Sequence, residues 1–74
     1  MDANHLIKMA NQIGQFFESM PDREQAKADI ASHLKRFWEP RMRKAILAVL
    51  DTAQADGIDP IVREAISANR ESLA

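Results

Sequence analysis

Residues 33–44 read His33-Leu34-Lys35-Arg36-Phe37-Trp38-Glu39-Pro40-Arg41-Met42-Arg43-Lys44 and contain a break between two predicted helices. A residue before proline is driven out of the α region, so Glu39 is expected to end one helix. Proline suits the first turn of a helix, so Pro40 is expected to begin the next one. The same segment carries the only Trp and five of the ten Lys and Arg residues. We therefore interpret it as a corner between two packed helices.

Three other breaks divide the rest of the chain. Met20-Pro21-Asp22 stops the first helix, and Asp22 followed by Gln25 is a capping-box pattern that starts the second. Asp56-Gly57 predicts a helix end with glycine at the C-cap. Asp59-Pro60 repeats the N-cap and first-turn signal. We predict helices at approximately residues 3–20, 23–38, 40–55 and 60–72.

Apolar residues recur at helical spacing throughout these segments. The first stripe covers nearly half of its helix, enough to contact two neighbours. Gly14 lies beside it and costs a helix about 1 kcal/mol, so it indicates either a close approach by another backbone or a glycine that the helix core tolerates. Leu47 falls outside the third stripe, and the fourth stripe is so short that this helix is expected to fray or to lie on a partner. The four stripes are Leu6, Met9, Ala10, Ile13, Phe16, Phe17 and Met20; Ala26, Ile30, Leu34, Phe37 and Trp38; Met42, Ala45, Ile46, Val49, Leu50 and Ala53; and Val62, Ala65, Ile66 and Leu73.

These patterns predict an all-α protein, a small bundle of three main helices plus a weaker C-terminal helix, forming a single helical domain over residues 1–74. A chain of 74 residues supports one domain at most, and such a domain has a small core and marginal stability. The absence of Cys excludes a disulfide framework and thiolate-ligated zinc. Stability is therefore expected to come from tight helix packing or from assembly with a partner.

The chain shows no sign of export or membrane insertion. Residues 1–9 lack the basic start and apolar run of a signal peptide. No window approaches 18 uncharged apolar residues, the length that spans a bilayer. We expect a cytoplasmic protein, a location that the lack of Cys also fits.

The charge is unevenly distributed along the sequence. The net charge is −1. Residues 35–44 hold five bases and one acid, a local charge of +4, whereas the remainder holds five bases and ten acids, a charge of −5. A basic patch on an acidic body is therefore expected.

No group of residues has the pattern of a catalytic, metal-binding or cofactor-binding site. The only histidines, His5 and His33, lie on different predicted helices, and a zinc site would need carboxylates to complete four ligands. The acids lie at caps or on polar helix faces, and neither a nucleophile–base pair nor a Gly-rich phosphate loop occurs. We expect no catalytic residues, no metal site and no cofactor-binding residues in this chain.

Three readings of the corner remain open. The second helix, the turn and the third helix resemble a helix-turn-helix, with Arg41, Arg43 and Lys44 opening the recognition helix, but DNA-binding domains usually have a pI above about 9, against about 6.1 here. In a free-standing structural module, Phe37 and Trp38 would fill the core and the arginines would be solvated. In a protein-interaction module, Trp and Arg would be binding hot spots, as these residue types often are. We favour the third reading and expect no nucleic-acid partner.

Four segments resemble the delta subunit of bacterial NAD-dependent formate dehydrogenases. They are His33-Leu34-x-x-Phe37-Trp38-x-Pro40-Arg41-Met42-Arg43, preceded by Met9-Ala10-Asn11-Gln12-Ile13 and Phe16-Phe17, and followed by Pro60-x-Val62-Arg63-x-Ala65. The similarity runs in order along nearly the whole chain. It contains no catalytic motif and is least distinctive in the linker after Ala53.

The resemblance implies a non-catalytic accessory subunit of a cytoplasmic complex. In that complex the large subunit carries a molybdenum bis-pterin guanine dinucleotide centre and iron–sulfur clusters, and other subunits bind FMN and NAD. The delta subunit would dock on the large catalytic subunit and stabilise the complex or its cofactor-loaded state. The expected partner-binding residues are His33, Arg36, Phe37, Trp38, Pro40, Arg41 and Arg43, with Phe37 and Trp38 as anchors and the arginines pairing with carboxylates or carbonyls.

Overall fold

A computed structural model describes residues 2–74 of the chain. Within this range it contains five α-helices, one 3-10 helix and no strand. The elements are α1 (Ala3–Glu18), α2 (Arg23–Phe37), α3 (Pro40–Leu50), a 3-10 helix (Ala53–Gly57), α4 (Pro60–Ala68) and α5 (Arg70–Leu73). The predicted all-α bundle is confirmed. Met1, which the predicted domain included, lies outside the described residues.

Capping side chains begin the first two helices. Asp2 Oδ1 accepts a hydrogen bond from the Asn4 N–H at 3.0 Å, and Asp22 Oδ1 accepts from the N–H groups of Glu24 and Gln25 at 3.0 and 3.3 Å. These bonds satisfy backbone donors that the first helical turn leaves free. The capping box is only half formed, because the Gln25 amide donates to Asp29 Oδ1 at 2.9 Å.

The third helix is shorter than the predicted 40–55, and it ends at Leu50. Thr52 explains the early end. Its hydroxyl donates to the Val49 carbonyl at 2.8 Å and accepts from the Gln54 N–H at 3.2 Å, which starts the 3-10 helix. A Thr side chain that competes for backbone groups in this way favours a helix end. Gly57 closes the 3-10 helix instead of α3.

The last predicted helix, 60–72, is divided at Asn69. The Asn69 amide donates to the Ala65 carbonyl at 2.8 Å, and the residue leaves the helical conformation at φ −117° and ψ 26°. The short α5 that follows buries Leu73 completely. The first helix also ends early, at Glu18, with Ser19 as its C-cap.

The core lies where all five helices meet. Its fully buried large side chains are Leu6, Ile30, Leu34, Ile46, Ile58, Ile66, Leu73 and Val62. Two expectations were wrong. Leu47 is buried, because α3 contacts α5 and the 3-10 helix as well as α1. The C-terminal segment buries more than its short stripe indicated, because α4 lies against α1, α2 and α3.

Gly14 marks the closest approach of α4 to α1. A Cβ placed on Gly14 would overlap with Val62 Cγ2 of α4. A close approach was one of the two interpretations of Gly14 from the sequence, but the neighbour is a side chain and not the expected backbone. One turn earlier, the Asn11 side chain donates to the Gly57 carbonyl at 2.9 Å and accepts from the Asp59 N–H at 2.8 Å. This side of α1 therefore holds both α4 and the loop that leads into it.

Exposed ion pairs join α2 to α4. Arg23 Nη2 lies 2.7 Å from Glu64 Oε2, and Lys27 Nζ lies 3.6 Å from Glu64 Oε1 and 2.6 Å from Glu24 Oε2. The hydrogen bond from Arg23 lowers the pKa of the Glu64 carboxyl, and the same bond raises the pKa of Arg23. The hydrogen bond to Glu24 raises the pKa of Lys27. Arg23 and Glu64 are about half exposed, so solvent screens their attraction and the pair contributes little to stability.

We predict that Gly14→Ala destabilises the chain. The gain in helix propensity is about 1 kcal/mol. The overlap with the stiff Val62 side chain is severe, so we expect it to cost about 2–3 kcal/mol, the upper part of the range for overpacking, which leaves a net loss of about 1–2 kcal/mol. Thermal unfolding followed by circular dichroism is expected to show a Tm lower by about 5–15 °C. Gly57→Ala is the matched control, because its new Cβ would lie 3.6 Å from Ile7 Cγ2, an ordinary contact. Equal effects of the two substitutions would contradict the packing argument.

We also predict that Glu64→Gln weakens the acid sensitivity of the fold. Since the folded pKa of Glu64 is lowered, its stabilising contribution is present above the ordinary Glu value of about 4.3. The contribution is lost as the pH falls through the lowered pKa. Urea unfolding at pH values from 6 down to about 3 is expected to show a shallower decline for the variant. Glu71→Gln serves as the control, since Glu71 has no ion-pair partner among residues 2–74.

Candidate partner-binding surface

The corner places Trp38 inside the molecule. The backbone N–H of Trp38 donates to the Leu34 carbonyl at 3.0 Å, but the Trp38 backbone is already extended, at φ −87° and ψ 136°. Glu39 is extended as well, as expected before Pro40, and Pro40 opens α3. Trp38 is only 6% exposed and belongs to the core cluster. Its indole is therefore mainly a structural element, with an edge that reaches the surface.

Phe37, the last residue of α2, has the opposite environment. It is 67% exposed, although the helical pattern placed it on the inner stripe. This expectation was wrong because Trp38 leaves the helix and occupies the core at the end of α2. The Phe37 ring instead lies against the His33 ring, one turn earlier, with centroids 4.8 Å apart.

Four rings form a continuous row across α1 and α2. The Phe16 and Phe17 rings meet edge to face at 5.0 Å, the Phe17 and His33 rings are 6.3 Å apart, and His33 leads on to Phe37. Phe16 is 76% exposed, and Phe16 and Phe37 are the large apolar residues most open to solvent among residues 2–74. We call these four residues the aromatic row. Its two ends are exposed and its middle is half-buried.

An apolar groove of about 450 Å³ runs beside the aromatic row. Side chains of α1 form one wall, and His33 and Trp38 close the other side. The α1 residues are Met9, Gln12, Ile13, Phe16 and Phe17. Charged side chains are absent from this lining. The groove can therefore accept apolar groups, and it offers few hydrogen bonds.

The basic residues of the corner have different environments. Arg36 is exposed, with its guanidinium carbon 5.6 Å from the centroid of the Phe37 ring. Arg41 is exposed in the first turn of α3. Arg43 is half-buried and donates to the Lys35 carbonyl at 3.3 Å, while its buried Nε has no hydrogen-bond partner within residues 2–74. Lys35 Nζ donates to the Ser72 carbonyl at 2.7 Å.

These environments bear on the two interpretations in which basic residues of the corner contact a partner, the helix-turn-helix and the protein-interaction module. Lys35 and Arg36 occupy the last turn of α2, where cations stabilise the helix macrodipole. Arg43 is turned back onto α2, so it is not freely presented at the start of α3 as a recognition helix would require. Arg36 and Arg41 remain accessible to a partner. Pro40 is exposed at the corner itself.

Potential metal ligands are scattered over the described part of the chain. No group of three or more His, Cys, Asp or Glu side chains within residues 2–74 is placed to hold a metal ion. Iron–sulfur clusters are held mainly by Cys thiolates, and this chain has none. No helix in the described part of the chain is long and apolar enough to cross a membrane.

The expected partner-binding residues are thus only partly brought together. His33, Arg36 and Phe37 line one surface hollow, and the buried Trp38 lines the groove together with His33. Pro40 and Arg41 are exposed at the start of α3, and Arg43 is turned back to the Lys35 carbonyl. The groove is also lined by Met9, Ile13, Phe16 and Phe17, which were not among the expected partner-binding residues, although the excessive width of the first apolar stripe was a signal for them.

We predict that Trp38→Ala and Phe37→Ala differ sharply in their effect on folding. Removing a buried Trp costs about 3–5 kcal/mol, which approaches the whole stability of a chain this small. Removing Phe37 is expected to cost little, since most of its ring is already in water. Circular dichroism melting curves are expected to show an unfolded or strongly destabilised Trp38→Ala chain beside a nearly unchanged Phe37→Ala chain. Similar melting curves would contradict the assignment of Trp38 to the core.

Comparison with known families gives this surface a context. The family described as "NADH-dependant formate dehydrogenase delta subunit FdsD" matches residues 5–66, which include most of α1, all of α2 and α3, the corner and most of α4. Among curated proteins and solved structures, none is significantly similar to this chain. The family match covers most of the sequence and agrees with the resemblance found at the corner. The chain therefore belongs to the family of NADH-dependent formate dehydrogenase delta subunits.

Proposed function

We propose that this chain is a non-catalytic accessory subunit that docks on the molybdenum-bearing large subunit of a bacterial, cytoplasmic NAD-dependent formate dehydrogenase. Docking would stabilise the complex or its cofactor-loaded state. Family membership supports a place in such a complex. The role as a docking subunit, and the large subunit as its partner, are the proposal.

The observation that carries the proposal is the exposed aromatic row. Exposed fractions of 76% for Phe16 and 67% for Phe37 leave large apolar surface in water. Isolated exposed apolar residues are common, but these two are linked through Phe17 and His33 and border an apolar groove. A contiguous apolar patch of this kind is typical of a surface that binds another protein.

The cofactors of the proposed complex lie outside this chain. Molybdenum bis-pterin guanine dinucleotide and iron–sulfur clusters would be held by the large subunit, and FMN and NAD by the flavin- and iron–sulfur-bearing subunits. The chain's own contribution would be a folded surface that holds a neighbouring subunit in place.

The residues expected to bind the partner would act in two ways. His33, Arg36, Phe37, Pro40 and Arg41 would touch the large subunit directly. Trp38 and Arg43 would act mainly by holding the surface in shape. Trp38 supports the groove, and Arg43 joins α3 to the end of α2.

The test is to purify the complex with and without this chain. An affinity-tagged chain, expressed in the cells that make it, is expected to retain a large subunit that contains molybdenum and iron. In cells that lack the chain, the dehydrogenase is expected to contain less molybdenum and to oxidise formate more slowly. Metal analysis by mass spectrometry and a formate-dependent NAD reduction assay provide the two readouts.

Two outcomes would contradict the proposal. A dehydrogenase made without this chain that holds full molybdenum and has full activity would remove the stabilising role. A tagged chain that retains no dehydrogenase subunit would remove the docking role. Recovery of nucleic acid, released progressively by salt, would instead favour the helix-turn-helix reading.

A further inference from the structure

The groove beside the aromatic row has a shape and chemistry that restrict what can fill it. We infer that it receives one helix of the large subunit, which carries bulky apolar side chains on its buried face and a carboxylate at the end nearest Arg36. The inference rests on the proposed function, since it assumes that the large subunit is the partner. It adds the location of the contact and the kind of segment that occupies it.

The lining of the groove favours a helix over an extended segment. Its polar side chains are Gln12 and His33, and the rest of its lining is apolar. An extended peptide would bring unpaired N–H and C=O groups into this apolar surface, at a cost of free energy for each group left unpaired. No strand edge exists within residues 2–74 to pair with them. A helix satisfies its own backbone groups and presents only side chains.

The length of the groove agrees with a short helical contact. Met9, Ile13 and Phe16 line it along α1 at positions i, i+4 and i+7. Seven residues of helix rise about 10 Å, roughly two turns. Two turns of an incoming helix would place two or three apolar side chains over the groove, with Phe16 at one end and Trp38 at its base.

Arg36 supplies the charge complementarity. It lines a smaller hollow of about 220 Å³ that adjoins the groove and shares Phe17 and His33 with it. The one acid in this hollow, Asp29, already accepts a hydrogen bond from Gln25. The Arg36 guanidinium lies over the Phe37 ring, so its planar donors are pre-oriented for a carboxylate.

Charge also argues against a second copy of this chain as the occupant. A two-fold contact centred on the aromatic row would bring the same surface of both copies together. Each copy would bring its exposed Arg36, which lines the hollow beside the row, to that contact. Like charges across an interface are unfavourable, whereas an acidic partner is attracted. The partner surface is therefore expected to be acidic around an apolar centre.

Photocrosslinking tests the occupant directly. A photoreactive phenylalanine analogue is introduced at Phe16 of the tagged full chain, in cells that make the whole dehydrogenase, and crosslinked peptides are identified by mass spectrometry. Gln15 is the matched control position, because it is exposed on the same helix but lies outside the groove lining. The expected crosslink joins position 16 to a helical, acid-containing segment of the large subunit. A crosslink to a second copy, to a flavin-bearing subunit or to a non-helical segment would overturn the inference, as would equal crosslinking from position 15.

Affinity measurements separate this inference from the proposed function. Phe16→Ser and Arg36→Glu are each expected to weaken binding to the purified large subunit by at least about tenfold, and Gln15→Ser is expected to leave it unchanged. Circular dichroism establishes that the exposed variants are folded. If the unchanged chain binds and these variants bind equally well, the inference fails while the proposed function stands. If the unchanged chain does not bind the large subunit at all, both fail.

Discussion

The burial of Trp38 at the end of α2 is the constraint on which the architecture of the corner depends. The backbone N–H of Trp38 makes the last helical hydrogen bond of α2, to the Leu34 carbonyl. The Trp38 ψ of 136° then turns the chain away from the helix axis. Pro40 keeps Glu39 extended and starts α3 at once, and the indole is buried in the core at this corner. Because the indole fills the core there, the neighbouring Phe37 ring remains outside. One buried ring thus determines both the path of the chain and the ring that is left exposed.

Small residues make this core possible in a short chain. Ala10, Ala26 and Ala65 have no exposed surface, and Gly14 lies directly under Val62. Such residues let helices approach closely, which partly compensates for the limited core of a chain without disulfides. The same arrangement assigns one side of α1 to α4. The other side, which carries Met9 and Phe16, is left for the groove.

The sequence predicted helix starts better than helix ends, for a physical reason. Starts at Arg23, Pro40 and Pro60 follow from Asp and Pro signals that act locally. The ends of α3 and α4 depend on the side chains of Thr52 and Asn69, which donate hydrogen bonds back to backbone carbonyls. Neither residue type is a reliable helix stop by itself.

The different burial of Phe37 and Trp38 could not be predicted from the sequence, since a helical wheel assumes that both residues are still in the helix. For the α1 part of the candidate surface, the sequence contained only an indirect signal, the width of the first apolar stripe, because placing these residues required knowing which side of α1 faces α4.

In the proposed docking role, the exposed rings of the aromatic row would form a preorganised surface. The contact between Phe16 and Phe17 and that between His33 and Phe37 would hold these rings near their positions before a partner binds. Aromatic side chains also have few rotatable bonds, so less conformational entropy remains to be lost on binding. The row lies on α1 and α2, which the core holds rigidly through Leu6, Ile30 and Leu34. Since Phe16 and Phe37 gain little from burial within this chain, their rings can contribute fully to the free energy of a contact outside it.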